Sequence, residues 1–260
     1  IRAIAAVLSE GHQVLFLCPT TVLALQHHRN LARRFKPHGV TVGMLSRLAD
    51  PKQNRRTKSD FSKGQLQVLI GTQSLLSRSL TGQHVGLVIV DEEHRFGVQQ
   101  KEKIRAFAQS QSHPAEYLAM SATPIPRTLH MALSGLRDVS VIATPPYGRR
   151  PVRTLCFQKS HAKIRGQIKH ELNRGGQVFY IHNRVKGLDE MTRQIQELVP
   201  NAVVRSAHGQ MDRKQLERTL VDFMEHRFHV LVCTSIVENG VDLPNVNTII
   251  IDNAHLMGLS

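Results

Sequence analysis

The sequence predicts an α/β protein built as two tandem units, each a parallel sheet with helices on both faces. Three observations carry this. Short apolar runs rich in Val, Ile and Leu alternate with stretches of helical periodicity. Those runs are continuous, as in strands buried on both faces, with no in-and-out alternation. A segment dense in proline and arginine, ATPPYGRRPVRT (143–154), interrupts the alternation once, after which it restarts.

In chain order, QVLFLCPT (13–20) reads as a buried strand and 21–36 as a helix. VTVGML (40–45) is a strand and 51–63 a basic helix. LQVLIGT (66–72), GLVIVDE (86–92) and EYLAMSAT (116–123) are strands with helices between them. Beyond the linker come a strand in VRTLCFQ (152–158), a helix at 161–173, a strand in QVFYIHN (177–183) and a helix at 187–198. AVVRSAHG (202–209) is a strand, 212–226 a helix, and HVLVCTS (229–235) and NTIIIDN (247–253) the closing strands. The division this implies is a first unit over 1–144, a linker over 145–153 and a second unit over 154–260.

Charge narrows the partner. Lys and Arg number 34 against 20 Asp and Glu, a formal net charge of +14, which favours a polyanion, nucleic acid foremost. Basic residues are spread in short clusters: Arg29, Arg33, Arg34 and Lys36; Arg47, Lys52, Arg55, Arg56 and Lys58; Arg149, Arg150 and Arg153. Aromatics make up 5% and Trp is absent, so backbone phosphate contacts fit better than base stacking. No apolar run is long enough to cross a bilayer, and the N-terminal IRAIAAVLSE lacks the pattern of a signal peptide. Cys18, Cys156 and Cys233 each lie in an apolar run without a CxxC pair, and read as buried small hydrophobes of a reducing compartment. No histidine shows metal-ligand spacing beside carboxylates or thiols.

In open parallel sheets, ligands sit beyond the carboxyl ends of the strands. Polar residues collect there repeatedly: PTT, GTQ, DEEH and SAT in the first unit, and HNR, AHGQM and TSIVENGVD in the second. Capping alone does not readily account for seven such ends.

In this order these stretches resemble the motifs of superfamily 2 nucleic-acid-dependent ATPases. PTTVLALQH (19–27) resembles motif Ia, GTQSLL (71–76) motif Ib, DEEHRFG (91–97) the DExH Walker B motif and SATPIPRTL (121–129) motif III. VFYIHNRV (178–185) resembles motif IV and VLVCTSIVENGVDLPNVNTIIID (230–252) motif V. The longer phrases SATPIPRTLHMALSGLRDVSVIATPP, GGQVFYIHNRV and AHGQMDRKQLERTLVDF resemble the translocase module of the bacterial transcription-repair coupling-factor family. The recombination branch-migration helicases share the TPIPRTL stretch. The resemblance spans essentially the whole chain and implies two RecA-like lobes.

It also implies roles. Asp91 would hold Mg²⁺ at the γ-phosphate of ATP, Glu92 would orient and deprotonate the attacking water, and His94 would sense the nucleotide. Ser121, Ala122 and Thr123 would link hydrolysis to lobe motion, with Ser121 and Thr123 also placed to cap a helix before Pro124. Thr20, Thr21, Gly71 and Thr72 would contact DNA phosphates, although each also suits a cap. Asn183, Arg184, His208, Gly209 and Thr234 would follow DNA on the second lobe. Glu238, Gly240 and Asp242 belong to the motif V pattern, Gly240 giving a tight turn and Asp242 facing the cleft. Arg127 suits a phosphate contact or lobe packing.

Three departures stand out. No GxxxxGK[ST] phosphate loop occurs, the sequence stops before a QxxGRxGR motif, and Asn239 stands where the coupling-factor family usually has Thr. The first two read as truncation of both lobes, and the 260 residues alone are expected not to hydrolyse ATP at a useful rate. The activity implied is ATP-driven translocation on double-stranded DNA in transcription-coupled repair. The motor would displace stalled RNA polymerase and help recruit excision repair in the bacterial cytoplasm. Contacts to the polymerase and repair proteins are expected through domains outside this chain. The alternatives are a fork or branch-migration helicase, and a catalytically silent DNA-binding scaffold if the chain is complete.

Overall fold

The computed structural model describes residues 1–72, 75, 84–110, 114–121, 138, 140–142, 144, 152–234 and 242–257. In chain order the first elements are α1 (Arg2–Ser9), β1 (Gln13–Leu17), α2 (Thr21–Phe35), β2 (Val42–Leu45), α3 (Pro51–Ser62), β3 (Val68–Gly71), β4 (Val85–Val90), α4 (Val98–Gln109) and β5 (Glu116–Ala119). They are followed by α5 (His161–Asn173), β6 (Gln177–Ile181), α6 (Leu188–Leu198), β7 (Val204–Ala207), α7 (Arg213–Met224), β8 (Val230–Cys233) and β9 (Val246–Ile251). A short 3₁₀ turn follows each of β4 and β9, at Glu93–Arg95 and Ala254–Leu256.

Among the described residues two sheets form, with strand orders β2-β3-β1-β4-β5 and β7-β8-β6-β9, and every pairing there is parallel. The described residues fall into two compact units: those within 1–122, 208–227 and 236–244, and those within 123–207, 228–235 and 245–260. By this grouping α7 joins the first unit.

Continuous apolar runs become central strands because both faces of each sheet are covered. In β1, Leu15 and Leu17 pack with Phe61, Leu69, Val88, Phe96 and Ile104 on one face. Val14 and Phe16 pack with Ile4, Leu23, Leu31, Phe35, Ile70 and Ile89 on the other. In the second sheet, Val178, Tyr180, Val230 and Val232 pack against Ile164 and Ile168 of α5 and Leu188, Met191 and Ile195 of α6. Four helix starts carry a side-chain cap. Thr20 accepts the Leu23 N–H ahead of α2, and Asp50 with Pro51 opens α3. Ser160 caps α5, and Asp212 accepts two N–H groups at the start of α7.

Both sheets repeat one plan. Gln13 and Gln177 open the two central strands, and their amide groups donate to buried carbonyls, of Phe61 and Leu66 in one case and of Phe228 in the other. The strands β4 and β9 are each followed by an aspartate and then by a residue in the left-handed region: Glu92 at φ 49° and Asn253 at φ 51°. A non-glycine residue there is unfavourable unless its surroundings hold it.

Three expectations are corrected. Residues 152–158 form no strand; Val152, Leu155 and Phe157 are exposed, so the segment has neither a ladder partner nor a covered face. Cys156 on that segment is exposed, unlike Cys18 and Cys233. Burial pushes the Cys18 thiol well up, with nearby Asp91 adding to it, and pushes Cys233 up to about 12, so both stay protonated at neutral pH. The edge strands β5 and β9 also alternate in exposure, so one face of each is less covered than the other among the described residues. No described helix is long and apolar enough to cross a membrane.

A buried carboxylate pins the turn between α5 and β6. Glu171 is fully buried and accepts from Arg174 at 3.0 and 2.7 Å and from the Thr248 hydroxyl at 2.6 Å. Gly175 turns the chain at φ 75°, and a Cβ at Gly176 would lie 1.8 Å from Glu171 Oε1. Gly176→Ala is therefore expected to drive that carboxylate off its partners and destabilise the fold by about 3 kcal/mol, the order seen when a buried charge loses its pair. Urea denaturation checks it; a midpoint equal to wild type would mean that Glu171 relaxes without cost.

Candidate nucleotide site

The candidate site lies at the carboxyl end of the first sheet. Parallel pairing brings four strand ends together there: the Cys18 N–H donates to Gly71 O, Asp91 N–H to Leu17 O, and Met120 N–H to Val90 O, at 2.8–2.9 Å. Asp91 follows β4 directly. Its Oδ1 accepts the Glu92 N–H at 3.0 Å, and its Oδ2 accepts Nε2–H of His27, on α2, at 2.8 Å. The Asp91 side chain keeps 17% exposure, enough to reach a ligand.

Glu92 is buried, and its Oε2 has no hydrogen-bond partner. That oxygen lies 3.2 Å from Nδ1 of His94, an ion-pair distance without hydrogen-bond alignment. A buried carboxylate oxygen without a donor costs stability. His94 Nδ1 is also 2.9 Å from Ser121 Oγ, so Glu92, His94 and Ser121 form a chain from β4 to β5. The third acid, Glu93, is structural: it is buried and pairs with Lys101 of α4 at 3.7 Å, which fastens the 3₁₀ turn to the helix.

These groups suit a magnesium nucleotide. Asp91 offers a partly exposed, oriented carboxylate, and Mg²⁺ prefers one or two carboxylates with water and phosphate oxygens. Glu92 beside it offers a basic oxygen that accepts no hydrogen bond and is free to take one from a water molecule.

The candidate phosphate contacts divide. Thr20 is the α2 cap, and its hydroxyl accepts from Leu23 N–H at 3.3 Å while its O–H remains a donor. Thr21 and Thr72 are buried. Gly71 is glycine for packing, since a Cβ there would lie 2.9 Å from the Leu45 carbonyl and 3.0 Å from Leu75. On the second sheet, Asn183 and Thr234 follow the adjacent strands β6 and β8, Arg184 is exposed and Thr234 is buried. Asn183 donates to Asn253 O at 3.3 Å, and its Oδ1 is buried without a partner. His208 and Gly209 follow β7; the His208 Nδ1 is likewise buried without a partner, and Gly209 is exposed. Asp242 is exposed. Ala122, Thr123 and Gly240, with Arg127, Glu238 and Asn239, lie outside the described residues.

Two residues at the strand ends escaped the sequence reading. His27 is one; its signal was its position three and four residues after the inward-facing Ala24 and Leu23. Asp252 is the other. It occupies in the second sheet the place of Asp91 in the first, but it is buried and held by Lys159 at 3.0 Å and His182 at 3.1 Å. With Asn253 in the place of Glu92, that sheet end is neutralised, and the acidic pair open to chemistry is Asp91–Glu92.

Known proteins place the chain. Its residues 1–132 match the DEAD/DEAH box helicase family and residues 161–257 the helicase conserved C-terminal domain. It is 44% identical over 260 residues to the transcription-repair-coupling factor of Staphylococcus aureus strain USA300, and 43% identical to that of Staphylococcus epidermidis. All of this chain is covered in both comparisons, and it spans 22% of those proteins' length. RecG bound to a three-way DNA junction superposes with a TM-score of 0.72 at 32% identity, covering 95% of this chain and 33% of that one. The Mycobacterium smegmatis helicase Lhr, bound to single-stranded DNA and AMP-PNP, shares the fold at a TM-score of 0.65 and 23% identity, over 92% of this chain and 36% of that one. The two parallel sheets are thus the tandem RecA-like lobes of a superfamily 2 helicase, and the chain belongs to the DEAD/DEAH box helicase family.

Proposed function

We propose that this chain is the motor region of an ATP-driven, double-stranded DNA translocase that acts in transcription-coupled repair in the bacterial cytoplasm. The motor would displace stalled RNA polymerase and help recruit excision repair. The observation that carries the reading is Glu92 Oε2, buried, without a hydrogen bond, 3.2 Å from His94 and next to the oriented Asp91 carboxylate. The 44% identity to coupling factors and the net charge of +14 support the repair context and the DNA partner.

In this reading Asp91 would hold Mg²⁺, and the ion would supply charge neutralisation to the phosphate oxygens of ATP. Glu92 accepts a proton from water as the water oxygen attacks the γ-phosphorus. The bond from that phosphorus to the bridging oxygen breaks, releasing ADP and phosphate, and the proton passes from Glu92 to solvent. His94 contacts both Glu92 and Ser121, so a change at the base is felt at the end of β5. Asn183, Arg184, His208, Gly209 and Thr234, with Thr20, Thr21, Gly71 and Thr72, would follow the phosphate backbone without reading bases. Ala122, Thr123, Gly240 and Asp242 would complete the coupling motifs.

The 32% identity to RecG favours a second reading, remodelling of branched DNA. One experiment separates them. The full gene product is given ATP with either RNA polymerase stalled on linear duplex or a three-way junction without polymerase. Release of polymerase, with little junction unwinding, is expected. Efficient junction remodelling without polymerase release would replace the first reading by the second.

A further inference from the structure

We propose that His27 is a positioning residue for the Asp91 carboxylate, and that it ties this carboxylate to the DNA-facing end of α2. The inference rests on the reading of Asp91 and Glu92 as the hydrolytic pair. It goes beyond that reading because His27 belongs to none of the groups assigned to nucleotide or DNA.

The geometry is specific. His27 lies on α2 with its ring against Phe16 of β1, centroids 4.7 Å apart and planes tilted by 36°. Phe16 is itself fixed in the core. The ring therefore has little freedom, and its Nε2–H points to Asp91 Oδ2 at 2.8 Å. Glu92 N–H fixes the other oxygen at 3.0 Å. Each carboxylate oxygen receives one hydrogen bond and keeps a further lone pair for a cation or its water. Outer partners of this kind orient a metal-binding carboxylate.

The second half follows from the helix. Thr20 caps α2, and His27 lies seven residues further along, about 10 Å at the helical rise. Leu23, Ala24, Leu31 and Phe35 anchor one stripe of the helix in the core, so it moves as a unit. A phosphate bound at the Thr20 end would shift or stiffen α2, and His27 would carry that change to Asp91. This is a coupling between two sites, with DNA at one end of the helix and the nucleotide-binding carboxylate at its middle.

The test uses the full gene product with His27→Ala and His27→Gln, and Glu92→Gln as a reference. Steady-state ATPase is measured against ATP, Mg²⁺ and duplex DNA, with thermal melting as a folding control. His27→Ala is expected to lower kcat about 10–100-fold, as loss of an outer-shell partner does. ATP KM should be nearly unchanged, half-saturation by Mg²⁺ should move upward, and the fold-stimulation by DNA should collapse although DNA still binds. His27→Gln, which keeps a donor, should recover most of the loss. A His27→Ala protein with wild-type kcat, Mg²⁺ dependence and DNA stimulation would overturn the proposal. So would one that loses turnover but keeps its fold-stimulation, since α2 would then not be the link. If Glu92→Gln itself retains turnover, the underlying reading of the site fails. If only His27 proves silent, that reading stands and this one falls.

Discussion

Glu92→Gln in the full gene product is expected to lower ATP turnover by about 10²–10⁴-fold, the span that a positioned general base contributes. ATP should still bind, because Asp91 and its two hydrogen bonds are untouched. The substitution keeps length and shape and removes the basic oxygen, so the loss should fall on kcat and a nucleotide-bound state should accumulate. Stability should not fall. Glu92 Oε2 is buried without a hydrogen bond, so the substitution removes no hydrogen bond from that oxygen. A variant that melts at or above the wild-type temperature while turning over poorly separates chemistry from unfolding. Normal turnover would remove Glu92 as the base.

The same residue shows how a site and its fold are set against each other. Glu92 adopts φ 49° and ψ 50°, a left-handed conformation that costs a glutamate free energy. Its neighbours hold it there: Glu93 N–H donates to Met120 O at 3.1 Å, and Glu93 pairs with Lys101. Asn253 takes the same conformation in the second sheet, where asparagine is well suited to it. There the preceding Asp252 has Lys159 Nζ across both carboxylate oxygens, at 3.0 and 3.1 Å, and His182 Nδ1 on Oδ2 at 3.1 Å. The backbone turn is thus shared by both sheets, whereas the unsatisfied acid belongs to the first.

The central strands were legible because QVLFL, VLIG, VIV, QVFYI and VLVC are almost wholly apolar, which only strands covered on both faces tolerate. The strand at 152–158 was misread for the converse reason. VRTLCFQ has strand-forming residues, but strand formation needs a partner distant in sequence, and nothing local reveals whether one exists. Cys156 was misplaced with it. Asp91, Glu92, His94 and Ser121 could be gathered from the strand-end pattern, since parallel strands deliver their carboxyl ends to one edge. The His27–Asp91 bond could not, because it spans 64 residues and depends on how α2 lies over β1. Thr21 and Thr72 show a further limit: the sequence places hydroxyls at strand ends but not their burial, and both are buried. Exposed groups such as Arg184 and the basic residues of α2 and α3 then become the stronger phosphate-facing candidates.

DNA binding by this chain is expected to be independent of base sequence and steep in salt. The exposed bases include Arg29, Arg33 and Arg34 on α2, Lys52, Arg55 and Arg56 on α3, and Arg184 after β6. Arg29 is already engaged by Glu225 and Arg56 by Asp60 at 3.8 Å, surface pairs that yield to phosphate. With about four phosphates neutralised, log affinity should fall with log salt at a slope of about −3.6, a loss of about 10²-fold between about 50 and about 200 mM. Duplex should be preferred to single strand, because the chain has no Trp and 5% aromatics and so little surface on which to stack bases. Contacts to phosphates carry no base information, so duplexes of different sequence should bind alike, with dissociation constants of roughly 10⁻⁴–10⁻⁶ M near physiological salt. Fluorescence anisotropy with several duplex and single-stranded probes over a salt series checks each part. Charge reversal at Arg33 and Arg34 should reduce the slope, because the counterions released there would no longer be counted. A shallow slope, or strong preference for one sequence, would mean that the chain recognises something other than the DNA backbone.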